Sequence, residues 1–200
     1  MGRGFRMKNW LPLAVIAAGM SISHPRLANA DWDAKQLKLV RGATTTLRQA
    51  VVTVERDLKG KAFSAIANVG DAFVTFTVKV DAGDKAMTAV VDAKTGKITE
   101  SSTLVADGSV RLKDFGKLKG TLLAAMRAAE STAKGKSFQA MYKRLANKDL
   151  FEVDVAGRDD VEKDVVVDAA SGKIRKVSER STDAAITAGP ASDALAPATP

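Results

Sequence analysis

Two periodicities alternate along this chain. Leu47, Ala50, Val51, Val54 and Leu58 fall at i, i+3, i+4, i+7 and i+11, one apolar stripe of an α-helix, with Arg48, Glu55, Arg56 and Asp57 on the opposite side. Thr46 and Gln49 precede and open that stripe in capping-box spacing, which predicts a helix beginning at Leu47. Lys59-Gly60-Lys61 predicts its end, with glycine in the C′ region and cations near the negative helix terminus. The period then changes. Phe63–Val69 is a short apolar-rich run, and Val74, Phe76, Val78 and Val80 alternate with Thr75, Thr77 and Lys79, the pattern of a half-buried strand. Asp81-Ala82-Gly83-Asp84 supplies a turn, Met87, Ala89 and Val91 form a returning apolar face, and a last short segment follows at Ile98.

The same series occurs again. Thr121-Leu122, Ala125, Glu130, Lys134-Gly135-Lys136 and Phe138 stand 75 residues after their counterparts, giving eight identities in eighteen positions from Thr46 to Phe63. The second helical face is Leu122, Ala125, Met126, Ala129 and Ala133, and Phe151, Val153 and Val155 match Phe76, Val78 and Val80. Val90–Ile98 (V-V-D-A-K-T-G-K-I) and Val166–Ile174 (V-V-D-A-A-S-G-K-I) share seven of nine residues, now offset by 76. The one-residue change falls at a hairpin tip, where a sheet accommodates it. A repeat at fixed period implies two copies of one supersecondary unit. The expected fold is therefore α+β: two tandem repeats, each one helix packed on a three- to four-stranded antiparallel sheet.

Boundaries follow from composition. Residues 1–30 read as a signal peptide: Arg3, Arg6 and Lys8 precede the apolar run Trp10–Met20, and Ala28-Asn29-Ala30 is a cleavage signature. The first unit then covers 31–104, opening with an arm that carries Leu37, Leu39 and Val40, and the second covers 105–180. Residues 181–200, mostly Ala, Thr, Ser and Pro, form a tail with little to bury. Units of about 70 residues have marginal cores, so the two are expected to pack together through a sheet edge or a helix face. Trp32, the only tryptophan beyond the signal, is expected to dock on the first unit or to stay exposed.

Charge and chemistry narrow the function. Cleavage would remove four basic and no acidic residues, leaving 27 against 23 and a net charge of +4 instead of +8. So mild an excess, interleaved with acids, permits weak polyanion attraction and no specific nucleic-acid recognition. The sole histidine, His24, leaves with the signal, and there is no cysteine. Ser-His-Asp and Cys-His centres, the usual zinc sites and His- or Cys-ligated haem are thereby excluded from the mature chain. Asp92 and Asp168 precede glycine turns, and aspartate there serves backbone amides before it serves a ligand or a reaction. Asp154, Asp159, Asp160, Glu162 and Asp164 cluster around Gly157, yet match no EF-hand spacing, and a solvated hairpin tip accounts for them. Phe138 and Tyr142, four residues apart, imitate a helical pair, but the match to Phe63 puts Phe138 in a strand and in the core.

A T-L-x-x-A helix start, a G-K turn, an alternating strand pair and D-A-x-[ST]-G-K-I resemble the PepSY domain family, once from Thr46 to Ile98 and again from Thr121 to Ile174. The resemblance implies a helix lying across an antiparallel sheet and an extracytoplasmic, non-catalytic role. It also implies a class of partner, since such domains occur in propeptides of thermolysin-type metallopeptidases. With no peptidase domain in this chain, restraint of a peptidase would act in trans. The reading is a periplasmic or secreted binding module with a protein partner, no cofactor, no metal and no catalytic residue, and no pattern marks its binding face. Its alternative is a structural or self-associating envelope protein without a dedicated ligand. Clustered carboxylates are the weak basis for a third reading, an enzyme.

Overall fold

A computed structural model describes residues 32–104, 112–158 and 161–180. The expected signal peptide, the tail and Asp159-Asp160 lie outside the described residues. The elements are α1 (Ala34–Gly42), α2 (Leu47–Leu58), β1 (Lys61–Val69), β2 (Val74–Asp81), β3 (Ala86–Asp92) and β4 (Ile98–Thr103), then a 3-10 turn (Leu112–Lys117). They continue as α3 (Leu122–Ala133), β5 (Gly135–Leu145), β6 (Lys148–Gly157), β7 (Glu162–Asp168) and β8 (Ile174–Arg180).

The α2 start is as its sequence predicts. Thr46 Oγ1 accepts from Gln49 N at 3.2 Å, and Gln49 Oε1 accepts from Thr46 N at 2.8 Å. Leu47, Ala50, Val51 and Val54 are buried. The preceding arm is more than an arm: it is the helix α1, opened by a second capping box in which Asp33 and Gln36 exchange bonds of 2.7 and 3.1 Å. The D-x-x-Q spacing carried that signal, and Leu37 and Val40 supply its short buried face.

All eight strands form one antiparallel sheet in the order β4-β3-β2-β1-β5-β6-β7-β8. The sequence led to the expectation of two small sheets, and the structure has one, continuous through the pairing of β1 with β5. Ser64 pairs with Met141, Ala65 with Ala140 and Ile66 with Gln139. This central ladder is short because each strand bulges beside it, between Ala62 and Ser64 and between Ser137 and Gln139. Alternation puts Ala65, Ala67, Phe76, Val78, Ala140, Phe151, Val153 and Val165 on the side packed by the helices, and all are buried. Ala65 and Ala140 lack bulk at the seam, and Ala50, Ala125 and Ala129 are equally small on helices that also touch each other. Small side chains permit close approach there.

The helix ends depart from expectation. The left-handed residues are Lys59 (φ 50°) and Lys134 (φ 53°), not the glycines that follow. Gly60 and Gly135 answer a different demand: a Cβ on Gly60 would lie 2.9 Å from Asp81 O, and one on Gly135 would lie 2.1 Å from Ala156 O. Glycine is required where β1 and β5 begin against their neighbours, so lysine takes the strained turn position. Nor does Glu55 face water. Its carboxylate accepts from Ala62 N at 2.8 Å, and Glu130 accepts from Ser137 N at 3.2 Å and Ser137 Oγ at 2.7 Å. Each glutamate thereby satisfies an amide at a bulge. Burial pushes the Glu55 carboxyl above its ordinary value, against the opposing pull of that amide and of Lys61.

The segments before α2 and α3 pack across the seam. Trp32 is buried, its ring 4.7 Å from Phe138 of β5, which corrects the expectation of docking on the first unit or exposure. Phe115 of the 3-10 turn is also buried, 6.0 Å from Phe63 of β1 and 5.0 Å from Tyr142 of β5. Lys136 Nζ donates to Arg41 O at 2.6 Å, and Lys61 Nζ donates to Leu118 O at 2.5 Å. These lysines close the C-terminal ends of α1 and the 3-10 turn, whereas α2 and α3 were their expected targets.

Replacing Ala140 by Leu should destabilise the chain by about 1–3 kcal/mol, because the added side chain enters the filled space between seam and helices. Urea unfolding of the full chain checks this; an unchanged midpoint would show room at the seam.

Candidate functional site

The repeated aspartates sit where their sequence places them. Asp92 Oδ1 accepts from Lys94 N at 3.0 Å and Thr95 N at 2.7 Å, and Gly96 completes the turn at φ 70°. Asp168 Oδ1 accepts from Ser171 N and Ser171 Oγ, both at 2.8 Å, with Gly172 also at φ 70°. The second turn has an addition: Arg175 Nη2 and Nε donate to Asp168 Oδ2 at 2.6 and 3.2 Å. That guanidinium, followed by the Ser171 amide and hydroxyl, holds the Asp168 carboxyl far below the usual carboxylate range. Asp92 is lowered too, chiefly by the Thr95 amide. Carboxylates so engaged are turn-forming groups, not bases awaiting a proton.

The acidic residues divide. Asp154 and Asp164 are cross-strand partners on β6 and β7, and with Glu152, which the sequence pattern did not single out, they bring carboxylate oxygens within 4.8 Å of one another. By alternation they occupy the sheet side opposite the helices. Lys143 Nζ meets Glu152 at 2.5 Å. Glu162 is buried further along β7 and is not part of this group. At the other end of β6, Asp149 accepts from Tyr142 Oη at 2.5 Å and from Arg144, and the Tyr142 bond lowers its carboxyl most.

The two outer strands differ in a way that bears on recognition. Among the described residues, each has a strand neighbour on one side alone, the ordinary condition of a sheet edge. Leu104 N donates to Ala86 O at 2.8 Å, so antiparallel alternation turns the N–H and C=O groups of Ser101 and Thr103 away from β3. Glu100 is the single charge in β4, which reads I-T-E-S-S-T and is largely exposed. β8 carries Arg175, Lys176 and Glu179, with Arg175 tied to Asp168 and Glu179 to Lys163 at 3.5 Å. Charge blunts β8 against strand addition, and β4 lacks that protection. The glycine turns ending at Ile98 and Ile174 marked where these strands begin; only their position at the ends of the sheet order reveals the difference.

Residues 120–178 match the PepSY family, described as "Peptidase propeptide and YPEB domain". No curated protein matches significantly. Among solved structures, the lipoprotein candidate CD1622 of Clostridium difficile 630 aligns at 16% identity over 69% of this chain and 95% of that one, with a TM-score of 0.43. The YpmB protein from Bacillus subtilis aligns at 19% identity over 66% and 96%, with a TM-score of 0.31. No catalytic family is indicated. Among the described residues, no helix is long and apolar enough to cross a membrane.

The lowered Asp168 carboxyl fixes the sign of one pH effect. A carboxylate more acidic when folded contributes stability above its unfolded value of about 3.9, and that contribution is lost as pH falls through the folded value. Asp168→Asn should therefore lower the urea midpoint at neutral pH, and its deficit should narrow progressively below about pH 4. A deficit independent of pH would show that the Arg175 pair contributes nothing.

Proposed function

We propose that this chain is a non-catalytic, exported binding module of the cell envelope that engages another protein by strand addition at β4, with a peptidase as its partner and restraint in trans as its action. One observation carries the reading: β4 is an exposed edge with outward backbone groups and one charge, while the opposite edge is blunted. An extended segment can add to such an edge through main-chain bonds alone, which needs no catalytic side chain. The PepSY match over 120–178 supports the class of partner. The expected export signal and the mature chain's lack of His and Cys agree with it.

The same proposal takes 31–104 and 105–180 as two PepSY-like units. The V-V-D-A-x-[TS]-G-K-I motifs support this, as does the order of a helix and four strands in both stretches. The central register adds to it, because Ala65 and Ala140, 75 residues apart, face each other. Trp32 against Phe138 and Phe115 against Phe63 favour the further view that the units complete each other's cores.

Purified protein at micromolar concentration is expected to slow at least one co-secreted peptidase, and Ser101→Lys is expected to weaken that effect about tenfold or more while leaving the urea midpoint unchanged. Unimpaired action of Ser101→Lys would exclude β4; no effect on any co-secreted peptidase would exclude the peptidase reading.

A further inference from the structure

A second surface lies at the end of the first four strands where the β1–β2 and β3–β4 turns meet α1. It is a groove of about 550 Å³ whose apolar lining includes Leu39, Ala43, Ala72, Phe73 and Val74. Its volume is within the usual range for ligand sites. Phe73 is 63% exposed, the most exposed of the large apolar residues described. The turn that carries it is closed by Gly70 N donating to Phe73 O at 2.9 Å, and a Cβ on Gly70 would lie 2.5 Å from the Phe73 ring. The ring therefore lies over the glycine and is open to solvent. An exposed aromatic beside an apolar hollow is the form an interface anchor takes.

Charge identifies what the groove accepts. Lys35, Lys38 and Lys94 stand on its rim, and among the described residues Asp92 is the only acid lining it. The Asp92 carboxylate, held ionised by the Lys94 and Thr95 amides, offsets one of these charges, so three lysines against one carboxylate leave the rim net positive. Asp71, in the Phe73 turn, is not among the lining residues. The counterpart turn between β5 and β6 is tighter, with Ala146 and Asn147 at φ 45° and 63° and no aromatic, and a 3-10 turn replaces α1 before α3. The groove is thus built from features without a counterpart among the described residues of the second half.

We propose that this groove is a docking site for an acidic segment of another protein that inserts an apolar side chain beside Phe73. The lysine rim attracts the acidic flanks and fixes their register, while the hollow against Leu39 and Ala43 takes the apolar residue. The site is independent of strand addition at β4, since its anchor lies in the β1–β2 turn.

The test is a titration of the full-length ¹⁵N-labelled chain with the peptide acetyl-Glu-Glu-Leu-Phe-Glu-Glu-amide, against acetyl-Lys-Lys-Leu-Phe-Lys-Lys-amide, followed by amide shifts. The acidic peptide is expected to produce saturable shifts centred on Phe73, Leu39 and Lys94 below about 1 mM, weakened about tenfold by Phe73→Ala. Lys38→Glu and Lys94→Glu, both at exposed positions, are expected to weaken it comparably and keep the proposal testable should Phe73→Ala disturb the turn. Equal binding of the basic peptide, indifference to all three substitutions, or no saturation by about 5 mM overturns the proposal. Ser101→Lys should leave the titration unchanged, so failure at β4 and failure at the groove are distinguishable.

Discussion

The pairing of Ala65 with Ala140 is the constraint on which the remaining architecture rests. Neither four-stranded half has enough residues for a generous core, and joining them edge to edge removes two exposed strand edges at once. The small seam residues let α2 and α3 lie close over the join. Bulges on both sides limit the ladder to a few residues, and the amides they release are met by Glu55 and Glu130 from the helices above. A chain without cysteine holds its centre by this combination of backbone pairing, carboxylate acceptors and alanine packing.

The segments leading into α2 and α3 reinforce the join from outside. Trp32 and Phe115 fill the hollows beside Phe138 and Phe63, and Lys136 and Lys61 secure the carbonyl ends of those segments. Each lysine bridges stretches far apart in sequence, Lys136 to Arg41 and Lys61 to Leu118. Side-chain contacts between distant stretches thus accompany the β1–β5 ladder.

Much of this was legible from residue pattern. Periodicity located α2, β2 and β3, the 75-residue repeat extended them to α3 and β6, and Thr46 with Gln49 fixed a helix start to the residue, because these signals are local. The Asp92 and Asp168 turns were legible for the same reason. The α1 helix escaped because its nine residues show too short a stripe, although Asp33 and Gln36 marked its beginning. Lys61, Lys136, Glu55 and Glu130 escaped because their partners are set by tertiary contact: the repeated K-G-K and Glu suggested solvated charge and capping, and the structure turns them inward. Candidate surfaces were the least legible. Nothing in I-T-E-S-S-T says that it ends a sheet, and although Phe73 lies outside the alternation that carries Phe76, only the fold shows that it is left uncovered beside a groove.

The unlike outer strands give the sheet a direction. Were both margins as plain as β4, molecules could stack flank to flank into ribbons of indefinite length, the first step towards fibres. The Arg175–Asp168 and Lys163–Glu179 pairs place a terminus at one margin, so enlargement from the other ends after a single event. Among the described residues, two ion pairs between β7 and β8 thus set the direction in which such a sheet can grow.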